Sequence, residues 1–337
     1  MTLRLFVAVA GLLFAVHTTA ADSSPAARSA QASASPVAPR VVTEPVRYDT
    51  DDPAIWINAE DLSASLVVGT DKDVDGALYV FGLDGKVVQD KVVRGLLRPN
   101  NVDIVQGMQF GSATADLAVV AERYAQRLRI YRLPGMEPVD GGGIPVFEGE
   151  RGRDVMGIAL YTRQSDGAVF AIVSRSETFA PTEGYLHQYR LFDDGTGTIR
   201  GVFVRAFGAW SGQKEIEAIT VDDALGFVYY GDEGYGIRKY HADPLADDAG
   251  DQLAEFGRND FAEDHEGLSV YARADGTGYL FASDQQANRF NIYAREGNPG
   301  TPHVHTLLAS VYLGTDESDG SELVATPLPG FPGGLFV

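Results

Sequence analysis

A short run of alternating apolar positions, introduced by a polar turn, occurs six times along the chain. The first copy opens at Asp49-Thr50-Asp51-Asp52-Pro53 and continues into Ala54-Ile55-Trp56. The positions taken as equivalent in the six copies are Asp52, Asn101, Met156, Glu217, Glu266 and Asp319. They are 49, 55, 61, 49 and 53 residues apart. A period of this length, filled with strand-like segments, is typical of a propeller or a solenoid.

A second repeat runs in phase with the first. Each copy is an apolar run, a polar triplet, a turn and an alternating strand that ends on or near a tyrosine. These tyrosines are Tyr79, Tyr131, Tyr189, Tyr240 and Tyr293. Two repeats in phase favour an all-β, six-bladed β-propeller over a two-sheet sandwich, which would not produce them. No window shows sustained helical periodicity, so we expect little helix.

The last repeat is short. It begins at Asp319 and reaches residues 334–337, which is enough for two strands of a blade. We expect either that residues 41–48 return to complete this blade or that the sequence is cut short at its C-terminus.

The first 40 residues have a different composition. Residues 1–21 combine a basic start, an apolar run and small residues, which predicts a secretory signal peptide. Residues 22–40 are mostly Ser, Ala and Pro and predict a disordered linker. The propeller domain is therefore expected at 41–337, and the protein in the medium or the periplasm.

Charge and cysteine content narrow the partners. The chain carries 47 acidic and 27 basic residues, a net charge of −20, which disfavours nucleic acid and anionic membranes as partners. There is no cysteine, so disulfides and thiolate zinc sites are excluded. Acidic residues clustered in loops instead favour a hard cation such as Ca²⁺.

Equivalent positions of successive blades meet around the axis of a propeller, so the polar residues of both repeats are expected at one mouth. The carboxylates are Asp51, Asp52, Glu215, Glu217, Glu233, Asp264, Glu266 and Asp319, with Asn101 and Gln285 beside them. The cations are Lys72, Arg123 and Arg175. Carboxylates this dense need cations between them, whereas Lys and Arg suit a phosphate. The mixture predicts metal-assisted attack on a phosphate ester.

The motifs at this mouth resemble those of the β-propeller phytases. The resemblance rests on Asp51-Asp52-Pro53-Ala54-Ile55-Trp56, Asn100-Asn101-Val102-Asp103, Glu266-Gly267-Leu268 and Ala282-Ser283-Asp284-Gln285, and it extends from about Val41 to the C-terminus. It implies a calcium-dependent phosphatase that acts on myo-inositol hexakisphosphate (phytate). In that family several Ca²⁺ ions line the mouth, and a metal-bound water attacks phosphorus.

The resemblance also implies a role for each position. Calcium-binding or water-activating roles fall to Asp51, Asp52, Glu217, Glu233, Asp264, Glu266, Gln285 and Asp319, with Glu217, Glu233, Asp264 and Glu266 as the catalytic set. Main-chain oxygens of Pro53 and Val102 would help to hold a structural Ca²⁺. Lys72, Arg123 and Arg175 would hold phosphate. The substrate would be phytate, as its calcium complex, bound by a monomer.

Three departures keep alternatives open. Met156 stands where the best-known members have a tyrosine that contacts phosphate, and Ser176 stands where they have an acidic residue. The family also normally continues beyond Val337. A calcium-dependent propeller lactonase or esterase would explain the acidic mouth but not its cations, and a non-catalytic propeller that binds inositol phosphate would explain the departures.

Overall fold

The computed structural model of the protein describes residues 37–176, 180–181 and 183–337. The predicted signal peptide, 1–21, and the predicted linker as far as residue 36 lie outside the described residues. Within the described part of the chain, no helix has the length and apolar character needed to cross a membrane.

Five antiparallel sheets, the blades, follow one another along the chain, each with its strands paired in sequence order. Blade one consists of β1 (Thr50–Trp56), β2 (Leu66–Asp71), β3 (Gly76–Gly82) and β4 (Val93–Leu96). Blade two consists of β5 (Pro99–Phe110), β6 (Ala113–Glu122), β7 (Arg127–Leu133) and β8 (Glu137–Pro138), with β9 (Ile144–Pro145) also paired to β7. Blade three consists of β10 (Val155–Thr162), β11 (Val169–Arg175), β12 (Leu186–Asp193) and β13 (Ile199–Phe207).

The remaining blades have the same plan. Blade four consists of β14 (Ile219–Asp222), β15 (Phe227–Asp232), β16 (Gly236–His241) and β17 (Ala254–Phe256). Blade five consists of β18 (Leu268–Ala272), β19 (Gly278–Asp284), β20 (Arg289–Ala294) and β21 (Leu307–Val311). The helices of the described residues are short 3-10 turns, at Leu62–Ala64, Gln89–Lys91, Arg123–Ala125 and Gln285–Ala287. The all-β propeller prediction is confirmed.

The predicted number of blades is wrong: the described residues form five blades rather than six. A two-stranded sheet follows them, made of β22 (Leu323–Val324) and β23 (Leu335–Phe336). Residues 41–48 form no strand and do not complete this sheet. The Glu44 main-chain N–H instead donates to the Gly85 carbonyl, 2.8 Å away, at a turn of blade one.

The two-stranded sheet packs between blades five and one. Leu335 is buried with Ile55 and Val67 of blade one, and the Phe336 ring lies 5.0 Å from that of Phe290 in blade five. The main-chain N–H of Gly320 donates to the carbonyl of Asp51 over 2.9 Å. These contacts join the last described segment to the first strand.

The first strands of successive sheets contact one another in the order β1, β5, β10, β14, β18 and β22, and therefore surround the axis. Apolar side chains fill the spaces between neighbouring blades. Trp56 and Val68 of blade one, for example, share a buried cluster with Val120 and Tyr131 of blade two. Burial of such clusters between blades supplies most of the stability of a propeller, which has no disulfides here.

Candidate active site

The first strand of blade one begins with a bulge that separates two neighbouring aspartates. The register between β1 and β2 slips between Thr50 and Pro53, so Asp51 and Asp52 together oppose one residue of β2. β5 and β10 slip at the equivalent place. A bulge re-aims the side chains that it carries. Asp51 consequently contacts Lys72, whereas Asp52 lines a cavity on the axis.

A main-chain hydrogen bond marks the equivalent mouth position in each blade. In each blade the residue after the second strand donates its N–H to the carbonyl of a residue that lies one or four positions before the first strand. The pairs are Lys72 to Asp49 (2.7 Å), Arg123 to Arg98 (3.0 Å), Ser176 to Asp154 (2.7 Å), Glu233 to Glu215 (3.4 Å) and Gln285 to Asp264 (3.2 Å). Counting two residues on from each acceptor gives Asp51, Asn100, Met156, Glu217 and Glu266 as the equivalent first-strand residues.

This register corrects the prediction for Arg175. Ser176, and not Arg175, is equivalent to Lys72 and Arg123. Arg175 is the last residue of β11 and only 1% exposed; its guanidinium lies 3.1 Å from Glu150 and 4.4 Å from the centre of the Phe147 ring. A one-residue step along a strand moves a side chain to the other face, so Arg175 belongs to the interior of blade three.

Three carboxylates form the centre of the site. Glu217, Glu233 and Glu266 each offer an oxygen that lies within 4.8 Å of those of the other two. Burial, with repulsion by Glu266, raises the pKa of Glu233 to about 10, and burial, with repulsion by Asp319, raises that of Glu266 to about 8. The Oε1 atom of Glu233 is buried with no hydrogen-bond partner in the described structure. Such a group requires either protons or a cation.

Lys72 is held beside this triad. Its Nζ donates to Asp51 Oδ1 at 2.5 Å and lies 3.7 Å from Asp319 Oδ2. Although burial lowers it, attraction to Asp51 and Glu217 raises the pKa of Lys72 above its ordinary value, so the side chain stays cationic. Gln285 donates to Asp319 at 2.7 Å and completes this side of the mouth.

Asn100 connects the triad to the second cation. Its Nδ2 donates to Glu217 Oε1 at 2.6 Å, and its Oδ1 accepts from Arg123 Nη1 at 3.4 Å. Arg123 also donates to Ser176 Oγ, which in turn donates to Glu215 at 2.5 Å. These contacts fix the guanidinium of Arg123 next to the carboxylates.

Asp264 lies at the edge of the site. Its carboxylate accepts from Lys214 Nζ at 2.5 Å and from Gln286 Nε2 at 2.9 Å. It does not belong to the group within 4.8 Å, but its charge helps to raise the pKa of Glu233.

The cavity on the axis holds the other part of the predicted metal set. It has a volume of about 160 Å³, and Asp52, Pro53 and Val102 are among the residues that line it. Asp52 Oδ2 accepts from the Val102 N–H at 2.9 Å. Asn101, expected at the mouth, lines the cavity as well.

The structure therefore divides the predicted site residues into two groups and leaves one residue outside both. The group at the mouth consists of Asp51, Lys72, Arg123, Glu217, Glu233, Asp264, Glu266, Gln285 and Asp319. The group in the cavity below it consists of Asp52, Pro53 and Val102. Arg175 joins neither group. Asn100 and Lys214 were not predicted at the mouth. Their sequence signal is adjacency, since Asn100 precedes Asn101 and Lys214 precedes Glu215, both of which were already candidates.

The donor atoms at the mouth fit calcium. They are carboxylate and amide oxygens from several loops, which Ca²⁺ accepts in irregular arrangements of six to eight ligands. The buried, unpartnered oxygens of Glu233 and Asp51 are the atoms that such an ion would satisfy.

Comparisons with known proteins place this chain in a family. The family model for phytase matches residues 2–337. A curated relative, the 3-phytase of Bacillus subtilis (strain 168), is 28% identical over 295 residues, which are 85% of this chain and 73% of the relative.

Two solved structures are similar at lower identity. The Dos1 propeller is 11% identical with a TM-score of 0.43, over 77% of this chain and 59% of that chain. The structure of BBS1N in complex with ARL6DN is 10% identical with a TM-score of 0.46, over 78% of this chain and 68% of that chain. Neither likeness bears on function.

The alternatives left open by the sequence receive no support from these comparisons. The family model and the curated relative both carry the name of a phytase. Because the family model covers nearly the whole chain, this chain belongs to the phytase family and is a phosphoric monoester hydrolase.

Proposed function

We propose that this protein is an exported, calcium-dependent phytase that hydrolyses phosphate monoesters of myo-inositol hexakisphosphate. One observation carries the proposal: the Glu217–Glu233–Glu266 triad lies beside the cations Lys72 and Arg123 at one mouth. A site that must bind cations and also has fixed cationic side chains suits a ligand of high negative charge.

The mouth residues would have different roles in the reaction. Lys72 and Arg123 would bind and orient a phosphate group. Asn100 would hold the side chains of Glu217 and Arg123 in place, so that the bound phosphate lies next to the triad. Glu217, Glu233 and Glu266, with Asp51, Asp264, Gln285 and Asp319 around them, would hold Ca²⁺. When bound, Ca²⁺ would neutralise substrate charge and lower the pKa of a water for attack on phosphorus.

The residues of the axial cavity would have a structural role. Asp52 with the main-chain oxygens of Pro53 and Val102 would hold a Ca²⁺ that supports the first two blades. Asp52 lies so close to Gly320 that a Cβ at Gly320 would overlap Asp52 Oδ1. This close contact supports the structural role. The ion would thus lie next to the contact that joins the last sheet to blade one.

Export to the periplasm or the medium is part of the proposal, on the basis of residues 1–21. We also propose that the protein acts as a monomer on the calcium complex of phytate. The net charge of −20 supports this choice of substrate form, because a fully charged polyphosphate would be repelled at long range.

The experiment is the release of inorganic phosphate from phytate by the purified mature protein, with Ca²⁺ and with a chelator. We expect release with Ca²⁺ and its loss with chelator. Equal release in both would contradict the calcium dependence, and no release by folded protein would contradict the proposed substrate.

A further inference from the structure

The mouth has one cation fewer than the sequence predicted, because Arg175 is buried in blade three and Ser176 takes the equivalent mouth position. Phytate carries six phosphate groups, so a further cationic side chain beside Lys72 and Arg123 would strengthen its binding. A third cation at the edge of the mouth would supply such a contact.

Lys214 is a cation at that place. It belongs to the segment that leads into β14, three residues before Glu217, and its ammonium group donates to Asp264 at 2.5 Å and lies 3.8 Å from Glu263. Lys214 therefore lies at the edge of the mouth, beside Asp264 and just before the first strand of blade four, whereas Lys72 and Arg123 come from blades one and two.

The main chain at Lys214 is held in place. The Trp210 Nε1–H donates to the Lys214 carbonyl at 2.6 Å, and the Trp210 ring lies 5.4 Å from that of Tyr185. The base of the side chain is thus anchored to blade three, and the ammonium group projects from a fixed point.

The ammonium group has capacity for a ligand. An ammonium group has three N–H donors, of which one goes to Asp264. The side chain is 44% exposed, compared with 14% for Lys72, so a phosphate can approach it from solvent. A cation held by Asp264 would also compete with Lys214 for that carboxylate and leave Lys214 to the phosphate.

We propose that Lys214 is a phosphate-binding residue that favours highly phosphorylated inositols over simple phosphate monoesters. This inference rests on the proposed function. Lys72 and Arg123 hold the phosphate beside the triad, and Lys214 holds another phosphate of the same molecule. A substrate with one phosphate cannot use both sites, so only a polyphosphate gains from Lys214.

The test compares Lys214→Ala and Lys214→Arg with the wild-type protein. The matched control is Lys86→Ala, since Lys86 is 75% exposed and also paired with an aspartate, Asp84 at 3.7 Å, but in a turn of blade one. Affinity for myo-inositol hexakissulfate is measured by calorimetry at Ca²⁺ concentrations that saturate each variant. Values of kcat and KM are measured on phytate and on para-nitrophenyl phosphate.

We expect Lys214→Ala to weaken hexakissulfate binding about tenfold, the usual effect of removing one charged hydrogen bond. KM for phytate should rise by a similar factor while kcat and the para-nitrophenyl phosphate kinetics change little. Lys214→Arg should restore most of the affinity, and Lys86→Ala should match the wild type.

Two results would overturn the inference: unchanged hexakissulfate affinity in Lys214→Ala, or equal losses on phytate and para-nitrophenyl phosphate. The first would mean that Lys214 only neutralises Asp264. Failure of the proposed function is distinguishable, because it would appear as absence of phytate turnover in the wild type, whereas hexakissulfate binding measures Lys214 separately.

Discussion

The carboxylates of Glu217 and Glu233, which are buried, and of Glu266, which is half-buried, lie side by side, an arrangement that opposes folding unless a cation or protons are present. In the described structure only Glu217 receives a strong side-chain donor, Asn100 at 2.6 Å, whereas Glu233 Oε1 has none. The energetic cost of this cluster is typical of a functional site, where stability is given up for binding.

At the residue scale, Arg175 and Lys72 should respond differently to replacement by alanine. Arg175→Ala should destabilise the fold by about 3 kcal/mol, since it breaks a buried pair with Glu150. Lys72→Ala should raise KM for phytate about tenfold. Its effect on unfolding free energy should be smaller, because burial already raises the pKa of Asp51 to about 7 and this carboxyl can take up a proton when Lys72 is removed. Denaturant unfolding and steady-state kinetics on both variants check this. Normal stability with a raised KM in Arg175→Ala would show that Arg175 binds substrate.

At the scale of the element, the bulged start of β10 supports Glu217 of the next blade. Gly157 lies in this bulge, and a Cβ there would overlap the main-chain oxygen of Glu217. The position therefore needs glycine because the two main chains approach closely.

Gly157→Ala should shift Glu217 out of the triad. We expect a loss of about 1–3 kcal/mol in unfolding free energy and weaker calcium binding, measured by denaturant unfolding and calorimetry. Gly69→Ala is the control, because its Cβ would make an ordinary 3.6 Å contact with the Phe81 ring. Equal effects of the two substitutions would contradict a special role for the β10 bulge.

The same bulges explain how far the sequence could predict the site. Repeats in the apolar pattern were enough to predict the blades and to bring Glu217, Glu233 and Glu266 to one mouth. The pattern does not reveal an extra residue in one strand, so Asp52 and Asn101 were aligned with Glu217, whereas the structural equivalents are Asp51 and Asn100. Arg175 was misplaced by one residue for a similar reason, because Ser174, Arg175 and Ser176 are all polar.

The number of blades could not be predicted because it depends on pairing at the end of the chain. Two strands at residues 323–324 and 335–336 look like the start of a blade in sequence, and they do pair with each other. Whether residues 41–48 join them depends on side-chain packing around the whole ring, which no local pattern contains.

At the scale of the whole molecule, calcium should stabilise the fold more strongly at higher pH. The pKa values of Glu233, about 10, and Glu266, about 8, lie above the ordinary value of 4.5. Between pH 4.5 and these raised values, the folded, metal-free state binds more protons than the unfolded state. The free energy of unfolding of the metal-free protein therefore falls as pH rises through this range. Calcium needs the ionised carboxylates, so its binding strengthens as pH rises.

The rise in Tm caused by Ca²⁺ should therefore be larger at about pH 9 than at about pH 6. Thermal unfolding with Ca²⁺ and with chelator at both pH values measures this rise in Tm. Because the two Tm values at each pH are subtracted, the effects of ionisable groups elsewhere in the protein cancel. A calcium effect that is equal at both values, or larger at the lower one, would contradict the account of the triad.

We infer that calcium and phytate meet at the Glu217–Glu233–Glu266 triad. The most direct measurement is calcium-dependent phosphate release from phytate by Glu217→Ala and Glu266→Ala beside the wild type, with folding checked by circular dichroism. We expect folded variants whose turnover is reduced about 100-fold or more. Turnover close to that of the wild type in both variants would contradict it.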